Sequence, residues 1–131
     1  MAVREIIFRG KFAASGMWII GDLRQYPSGA KAIKGNDMSH IMEVDPDTIG
    51  EYTGLTDKNG KKIFEGDIVH MNSKKFGLSG HGIVVYRNGG FAIDDRRRNR
   101  LYPFMQNGQY NAGEYRVDGN IHDNPELIGG E

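Results

Sequence analysis

The segment Tyr52–Val69 constrains the fold more than any other part of the chain, because it reverses direction twice with few residues to spare. Asn59–Gly60 predicts a tight β-hairpin, since Asn and Gly accept the positive φ that such connections demand. Glu65–Gly66 predicts a second turn, after which Asp67 leads into another strand. Short strands separated by turns at this spacing predict a small, β-rich protein.

Glycine usage supports the same architecture. The chain has 19 Gly among 131 residues, about twice the ordinary share of ~7 %, without repeats or low complexity. The excess therefore predicts many tight turns rather than disorder. No segment sustains an apolar period of 3.6 residues, and one helical turn near Pro125–Leu127 is the only helix expected.

The bulk properties exclude several kinds of protein. Basic and acidic residues balance at 17 each, so any attraction to nucleic acid or to an anionic membrane must come from a local patch. There is no Cys, which excludes disulfides, thiolate zinc sites and cysteine nucleophiles and fits a reducing compartment. No apolar run approaches the ~20 residues of a membrane span, and the N-terminus lacks the apolar core of a signal peptide. We expect a cytoplasmic protein with no membrane association and no cofactor.

Apolar alternation and turn residues together predict the strands. Ile6 and Phe8 are expected to face inward, residues 73–82 are expected to form a polar loop, and Asn88–Gly90 is expected to connect a second hairpin. The predicted strands are Arg4–Arg9, Trp18–Ile20, Lys31–Lys34, Ile41–Val44, Ile49–Thr53, Lys61–Phe64, Asp67–Met71, Ile83–Arg87, Phe91–Asp94, Leu101–Met105 and Tyr115–Asp118. Aromatic residues expected to pack in the core or on the sheets are Trp18, Phe64, Phe76, Tyr86, Phe91 and Tyr115.

These strands predict a mainly β fold. We expect a small SH3-like or partly open β-barrel in the C-terminal half, over residues 49–131. Residues 1–48 are expected to form an N-terminal region of strands and loops that packs on the barrel.

Three blocks of sequence resemble the YopX-like proteins of phages and prophages. They are the opening Arg4–Arg9, the central Tyr52–Lys61 with Ile63–Val69, and the tail Val117–Leu127. The blocks lie at both ends and in the middle, so the resemblance covers essentially the whole chain. It implies a β-rich fold with a small barrel in the C-terminal half and an origin in a phage or prophage. It implies no catalytic residue.

The ionisable residues offer little for catalysis or metal binding. Glu65 and Asp67 can be interpreted as a carboxylate pair for general acid–base catalysis or for Mg²⁺ binding. Gly66 between them favours a role in capping a turn instead. The four His, at positions 40, 70, 81 and 122, have neither helical i, i+4 spacing nor a Cys nearby, so no metal site is expected. Alternation places His70 on the strand face opposite Val69, at the surface or the rim of a sheet.

The run Arg96–Arg100 is the one outlier. It has four Arg in five positions, followed by Tyr102. Arginine forks suit phosphate, and a tyrosine ring can stack on a base, so one interpretation is a nucleic-acid site made of Arg96, Arg97, Arg98, Arg100 and Tyr102. The adjacent Asp94 and Asp95 would offset part of the positive field. A solvated turn or an ion-pair patch between subunits explains the run as well.

Two functions follow as hypotheses. The first is a non-enzymatic phage or prophage accessory protein that acts by binding a phage or host protein or by homo-oligomeric assembly, for which sheet edges offer a route. The alternative is nucleic-acid binding through the arginine run.

Overall fold

The computed structural model describes residues 4–35, 40–74 and 77–129. Within these residues the chain is mainly β, as predicted, with eleven strands in antiparallel sheets and three short 3₁₀ turns. Contacts divide it into two compact units, Met1–Gly54 and Leu55–Glu131. The predicted division into residues 1–48 and 49–131 stays a prediction.

The first unit is an antiparallel sheet with the strand order β4-β3-β2-β1-β5. A 3₁₀ turn at Pro46–Thr48 separates its last two strands, and β5 runs on into the second unit. The strands are β1 Phe8–Lys11, β2 Trp18–Gln25, β3 Lys31–Gly35, β4 Ile41–Val44 and β5 Gly50–Thr56.

This sheet curls back on itself around an apolar core. Beyond the end of β1, the N–H of Ala13 donates to the carbonyl oxygen of Glu43 (3.0 Å), and the N–H of Asp45 donates to that of Lys11 (2.9 Å). Strand β4 is therefore bonded on both sides at this end. The core inside the curl is formed by Ile19, Ile33 and Val44, with Phe8, Phe12, Leu23, Met42 and Ile49 packed against it.

The second unit contains a five-stranded sheet with the order β10-β9-β8-β7-β11. Its two end strands are β10 and β11, so the sheet is open rather than a closed barrel. Its strands, with the short β6 that precedes them, are β6 Lys62–Phe64, β7 Asp67–Ser73, β8 Leu78–Arg87, β9 Gly90–Asp95, β10 Arg100–Pro103 and β11 Tyr115–Asn120. Its core is formed by Ile63, Val69, Met71, Val84, Ile93, Phe104 and Tyr115.

The two predicted hairpin turns and the predicted turn before β7 are confirmed. Gly60 has φ +81° in the turn after β5, and Asn88 with φ +55° precedes Gly89 with φ +83° in the two-residue connection from β8 to β9. The N–H of Phe64 donates to Oδ2 of Asp67 at 2.8 Å, and Asp67 is only 1 % exposed. The interpretation of Asp67 as a turn cap is therefore confirmed.

Three details differ from the predictions. Phe8 packs against the core as predicted, but the buried residue before β1 is Ile7, whereas Ile6 is 58 % exposed. Tyr86 is also exposed, at 54 %, and packs only edge-on against Phe91. Phe76 lies outside the described residues.

The third difference is the expected loop at residues 73–82. Strand β8 begins at Leu78 and pairs with β7 from there, with Gly82 opposite Val69. A Cβ at Gly82 would collide with Cγ2 of Ile93. At residues 78–82 the polar and glycine-rich composition therefore reflects close packing within the sheet, whereas residues 75 and 76 of the expected loop lie outside the described residues.

Candidate nucleic-acid interface

The arginine loop, residues 96–100, connects β9 to the edge strand β10. Residues 96–99 form the turn and Arg100 opens β10. Asn99 has φ +52°, a left-handed conformation that Asn accepts more readily than most residues. All four Arg are exposed.

Arg98 is tied to the buried carboxylate of Asp95. Its Nη1 donates to Oδ2 of Asp95 at 2.7 Å, and its backbone N–H donates to Oδ1 at 3.3 Å. Asp95 is 1 % exposed, and its hydrogen bond to the guanidinium raises the pKa of Arg98. Nη2 of Arg98 also donates to the carbonyl oxygen of Ser79 on β8 (3.3 Å). Arg98 therefore holds the loop in shape.

The second acidic neighbour of the loop, Asp94, is also engaged. Its Oδ2 accepts a hydrogen bond from Nη2 of Arg87 at 3.1 Å. The two carboxylates that the sequence places beside the arginine run are thus each matched by a guanidinium. Within the described residues, Arg96, Arg97 and Arg100 have no acidic partner, so three positive charges remain on the arginine loop.

The predicted site residues face two different cavities of the second unit. Arg98, Arg100 and Tyr102 line a cavity of about 580 Å³, here called the aromatic cavity, whose apolar wall includes Met71 and Tyr115. Its size is typical of sites for small ligands. Tyr102 packs against the core rather than standing free in solvent.

Arg96 and Arg97 line a second cavity of about 340 Å³, here called the histidine groove. Its lining also includes His70, His81 and Glu126. The five predicted residues are therefore near in sequence but divided between the two cavities, with Arg96 and Arg97 in one and Arg98, Arg100 and Tyr102 in the other.

The histidine groove contains a cluster that the sequence reasoning missed. His70 on β7 lies opposite His81 on β8, and their rings meet edge to face with centroids 5.5 Å apart. Nε2 of His81 donates to Oδ2 of Asp118 on β11 at 2.8 Å. Arg116 holds the same carboxylate through Nε (2.6 Å) and Nη2 (3.0 Å).

Pairing between β7 and β8 is the signal that could have found this cluster. Had residues 78–82 been recognised as a strand, the register would have placed His81 beside His70, and alternation would have placed both opposite the core. The predicted face of His70, opposite the buried Val69, is confirmed.

The charges in the cluster shift two pKa values. Hydrogen bonds from Arg116, and then from His81, lower the pKa of Asp118 to about 2, although burial works in the other direction. Burial lowers the pKa of His70, and the positive charge of Arg116 lowers it further. At neutral pH Asp118 is therefore an anion and His70 is neutral.

The edges of the five-stranded sheet differ in their protection. On β11, the N–H of Val117 donates to Oδ2 of Asp57 (2.8 Å), and the carbonyl oxygen of Tyr115 accepts from the N–H of Lys58 (3.0 Å). Strand β10 is only Arg100–Pro103, and a charged residue and a proline discourage pairing with another strand.

Metal sites and membrane spans are alternatives to a nucleic-acid site. Among residues 4–35, 40–74 and 77–129, no group of three or more His, Asp and Glu side chains is placed to hold a metal ion. None of the helical segments in that part of the chain is sufficiently long and apolar to cross a membrane.

A family model described as YopX protein matches residues 8–129. The chain belongs to the YopX family. Protein EF1440 from Enterococcus faecalis is similar in structure, with 28 % identity, a TM-score of 0.61, and coverage of 96 % of this chain and 99 % of that chain. Protein yopX from Bacillus subtilis has 19 % identity, a TM-score of 0.59, and coverage of 92 % and 96 %. At 19 % identity the second likeness shows the fold alone. No curated protein matches the chain.

Proposed function

We propose that this YopX-family protein is a phage or prophage accessory protein that acts by binding rather than by catalysis, and that its arginine loop binds the phosphates of nucleic acid. The observation that carries the proposal is that both carboxylates beside the loop, Asp94 and Asp95, are already paired with an arginine. Asp95 is matched by Arg98 and Asp94 by Arg87. Arg96, Arg97 and Arg100 are left as a local excess of positive charge in a chain whose formal net charge is zero.

The chemistry of the three side chains fits this ligand. A guanidinium presents a rigid fork of donors that matches phosphate, and it stays charged at any physiological pH. Arg96 and Arg97 line the histidine groove, whereas Arg100 lines the aromatic cavity. Phosphates spaced along a nucleic-acid backbone can contact both sides of one turn, which a single small anion cannot do.

Binding of labelled oligonucleotides tests the proposal. Fluorescence anisotropy with single-stranded DNA, duplex DNA and RNA should show association at ~50 mM salt that weakens steeply as salt rises. Replacing Arg96, Arg97 and Arg100 together with Gln should reduce the slope of log K against log salt by about two to three, since each phosphate contact contributes about 0.9 on duplex DNA.

A charge-matched variant provides the control. Replacing Arg24, Lys31 and Lys34 on β2 and β3 with Gln removes the same formal charge far from the loop in sequence. If this variant loses as much affinity as the arginine variant, the loop is not the binding site. Absence of association with any of the three nucleic acids at ~50 mM salt, where electrostatic attraction is strong, would refute the proposal.

Assembly of this chain with itself or with a phage or host protein is the second candidate. It is favoured by the 38 % exposed side chain of Leu101 on β10, which a partner can bury by side-chain contact without pairing to the strand edge. Light scattering at high protein concentration tests it. We expect a Leu101→Lys substitution to dissociate an assembly built on β10, and a wild-type monomer would exclude self-association there.

A further inference from the structure

We propose that the histidine groove is a phosphate-binding site, in which Arg96 and Arg97 supply permanent charge and His70, beside His81, gains a donor on protonation. The inference deepens the proposed function and rests on it, because it assigns phosphate contacts to one side of the arginine loop. The inference also makes phosphate binding depend on pH, because histidine titrates near neutral pH whereas arginine stays charged.

The first support is the convergence of donors on one groove. His70 and His81 lie on adjacent strands with ring centroids 5.5 Å apart, and Arg96 and Arg97 come from the loop beyond β9. The groove, at about 340 Å³, has room for a phosphate group. A phosphate offers several strong acceptor oxygens, so it can contact a guanidinium and an imidazole at the same time.

The second support is the hydrogen-bonding state of the two rings. Within the described residues, neither ring nitrogen of His70 has a hydrogen-bond partner, although the residue is partly buried. His81 donates through Nε2 to Asp118, which leaves Nδ1 as the nitrogen available to a ligand. Asp118 is thus a positioning residue that sets the orientation of the His81 ring.

The charges around the two histidine rings determine whether an anion binds there favourably. Asp118 is engaged by Arg116 and Asp94 by Arg87, which leaves Arg96, Arg97 and Lys58 against Glu126 and Glu114, an excess of one positive charge near the rings. The cationic groups that face His70 or line the groove are Arg96, Arg97, Arg116 and Lys58, and the acidic ones are Asp94, Asp118, Glu126 and, in the small neighbouring cavity, Glu114.

Proton linkage follows from this arrangement. His70 resists protonation in the free protein, because burial and Arg116 disfavour its cation. A bound phosphate would place negative charge beside the ring and favour the same cation. By reciprocity, binding must raise the pKa of His70, and acidification must tighten binding.

Histidine ring NMR with pyrophosphate tests the site without nucleic acid. We expect pyrophosphate to raise the pKa of His70 relative to chloride of equal ionic strength, and this effect should weaken in an Arg96→Gln, Arg97→Gln double variant. His40 of the first unit, exposed and on a different part of the chain, serves as an internal control. An unchanged His70 titration in the wild-type protein overturns the site.

Oligonucleotide binding separates this inference from the broader proposal. Affinity should be at least about fivefold higher near pH 5.5 than near pH 7.5, the range in which histidine titrates, and His70→Gln should remove that difference. Binding with no pH dependence would overturn the inference and leave the arginine loop intact. A pyrophosphate effect on His70 without oligonucleotide binding would support the site but refute a nucleic-acid ligand.

Asp118→Asn distinguishes positioning from bulk structure. If Asp118 orients His81, this variant should weaken pyrophosphate binding while its thermal unfolding remains cooperative. Asp22→Asn, the same substitution at an exposed position on β2 of the first unit, is the matched control and should leave the pKa response of His70 in place. Equal loss in both variants would argue against a role for the His81–Asp118 pair.

Discussion

The carboxylate of Asp57 accepts a hydrogen bond from the backbone N–H of Val117 at 2.8 Å, although sixty residues separate the two in sequence. The same carboxylate accepts from the N–H groups of Asn59 and Lys61, each at 2.9 Å. One buried side chain therefore shapes the hairpin turn after β5 and attaches that turn to the edge strand β11. Burial alone would raise the pKa of Asp57, but these three hydrogen bonds lower it below the usual range.

Asp57→Ala should be among the most destabilising single substitutions in the second unit. It leaves three backbone N–H groups without their acceptor, and we expect the free energy of unfolding to fall by about 3 kcal/mol. Urea denaturation measures the change. Asp47→Ala, at an exposed position in the 3₁₀ turn of the first unit, should change stability by less than about 0.5 kcal/mol. Equal effects would contradict the role of Asp57.

Gly82→Ala and Gly90→Ala form a matched pair in adjacent strands. A Cβ at position 82 would collide with Ile93 in the core, and we expect a loss of about 1–3 kcal/mol. A Cβ at position 90 meets no heavy atom within 4 Å, so that substitution should be neutral. Thermal unfolding of both variants measures the difference in stability. A neutral Gly82→Ala would show that Ile93 does not restrict the space at position 82.

The arginines of the loop should divide by role. Arg98→Ala leaves the buried Asp95 carboxylate without its partner, so the variant should melt several degrees below the wild type. Arg97→Ala removes a charge that has no acidic partner within the described residues, so it should weaken oligonucleotide binding and leave the melting temperature unchanged. The reverse outcome, with stability lost in Arg97→Ala and retained in Arg98→Ala, would contradict the assignment of Arg98 to structure.

Stability in acid should report on the Arg116–Asp118 pair. The pKa of Asp118 is lowered from 3.8 to about 2, so its contribution is fully present above pH 3.8 and is lost as the pH falls towards 2. A difference of this size corresponds to about 2 kcal/mol. The free energy of unfolding of Asp118→Asn, measured across this range, should therefore fall less steeply with acid than that of the wild type. Parallel curves would show that the pair does not stabilise the fold.

Much of the fold could be predicted from local chemistry. Positive φ at Gly60, Asn88 and Gly89 follows from residue types that tolerate it, so both hairpins were predicted at the right places. The strand at Leu78–Gly82 could not be predicted in this way. Apart from Leu78, its residues are polar or lack a side chain, and they enter the sheet because β7 pairs with them.

The candidate site shows the same division. The arginine run is evident from the sequence alone. The structural role of Arg98, which its neighbours do not share, depends on the burial of Asp95, and no local pattern predicts that burial. The His81–Asp118 pair joins residues 37 positions apart. It appears only when β7 pairs with β8 on one side and with β11 on the other.

The anchoring of Arg98 to Asp95 has a consequence for the speed of recognition. A turn whose shape is set before any ligand arrives loses little conformational entropy on binding. Encounter with a polyanion should then be governed by diffusion and long-range attraction, with no slow ordering step after collision. The association rate constant, and not only the equilibrium affinity, should therefore fall as added electrolyte screens the loop.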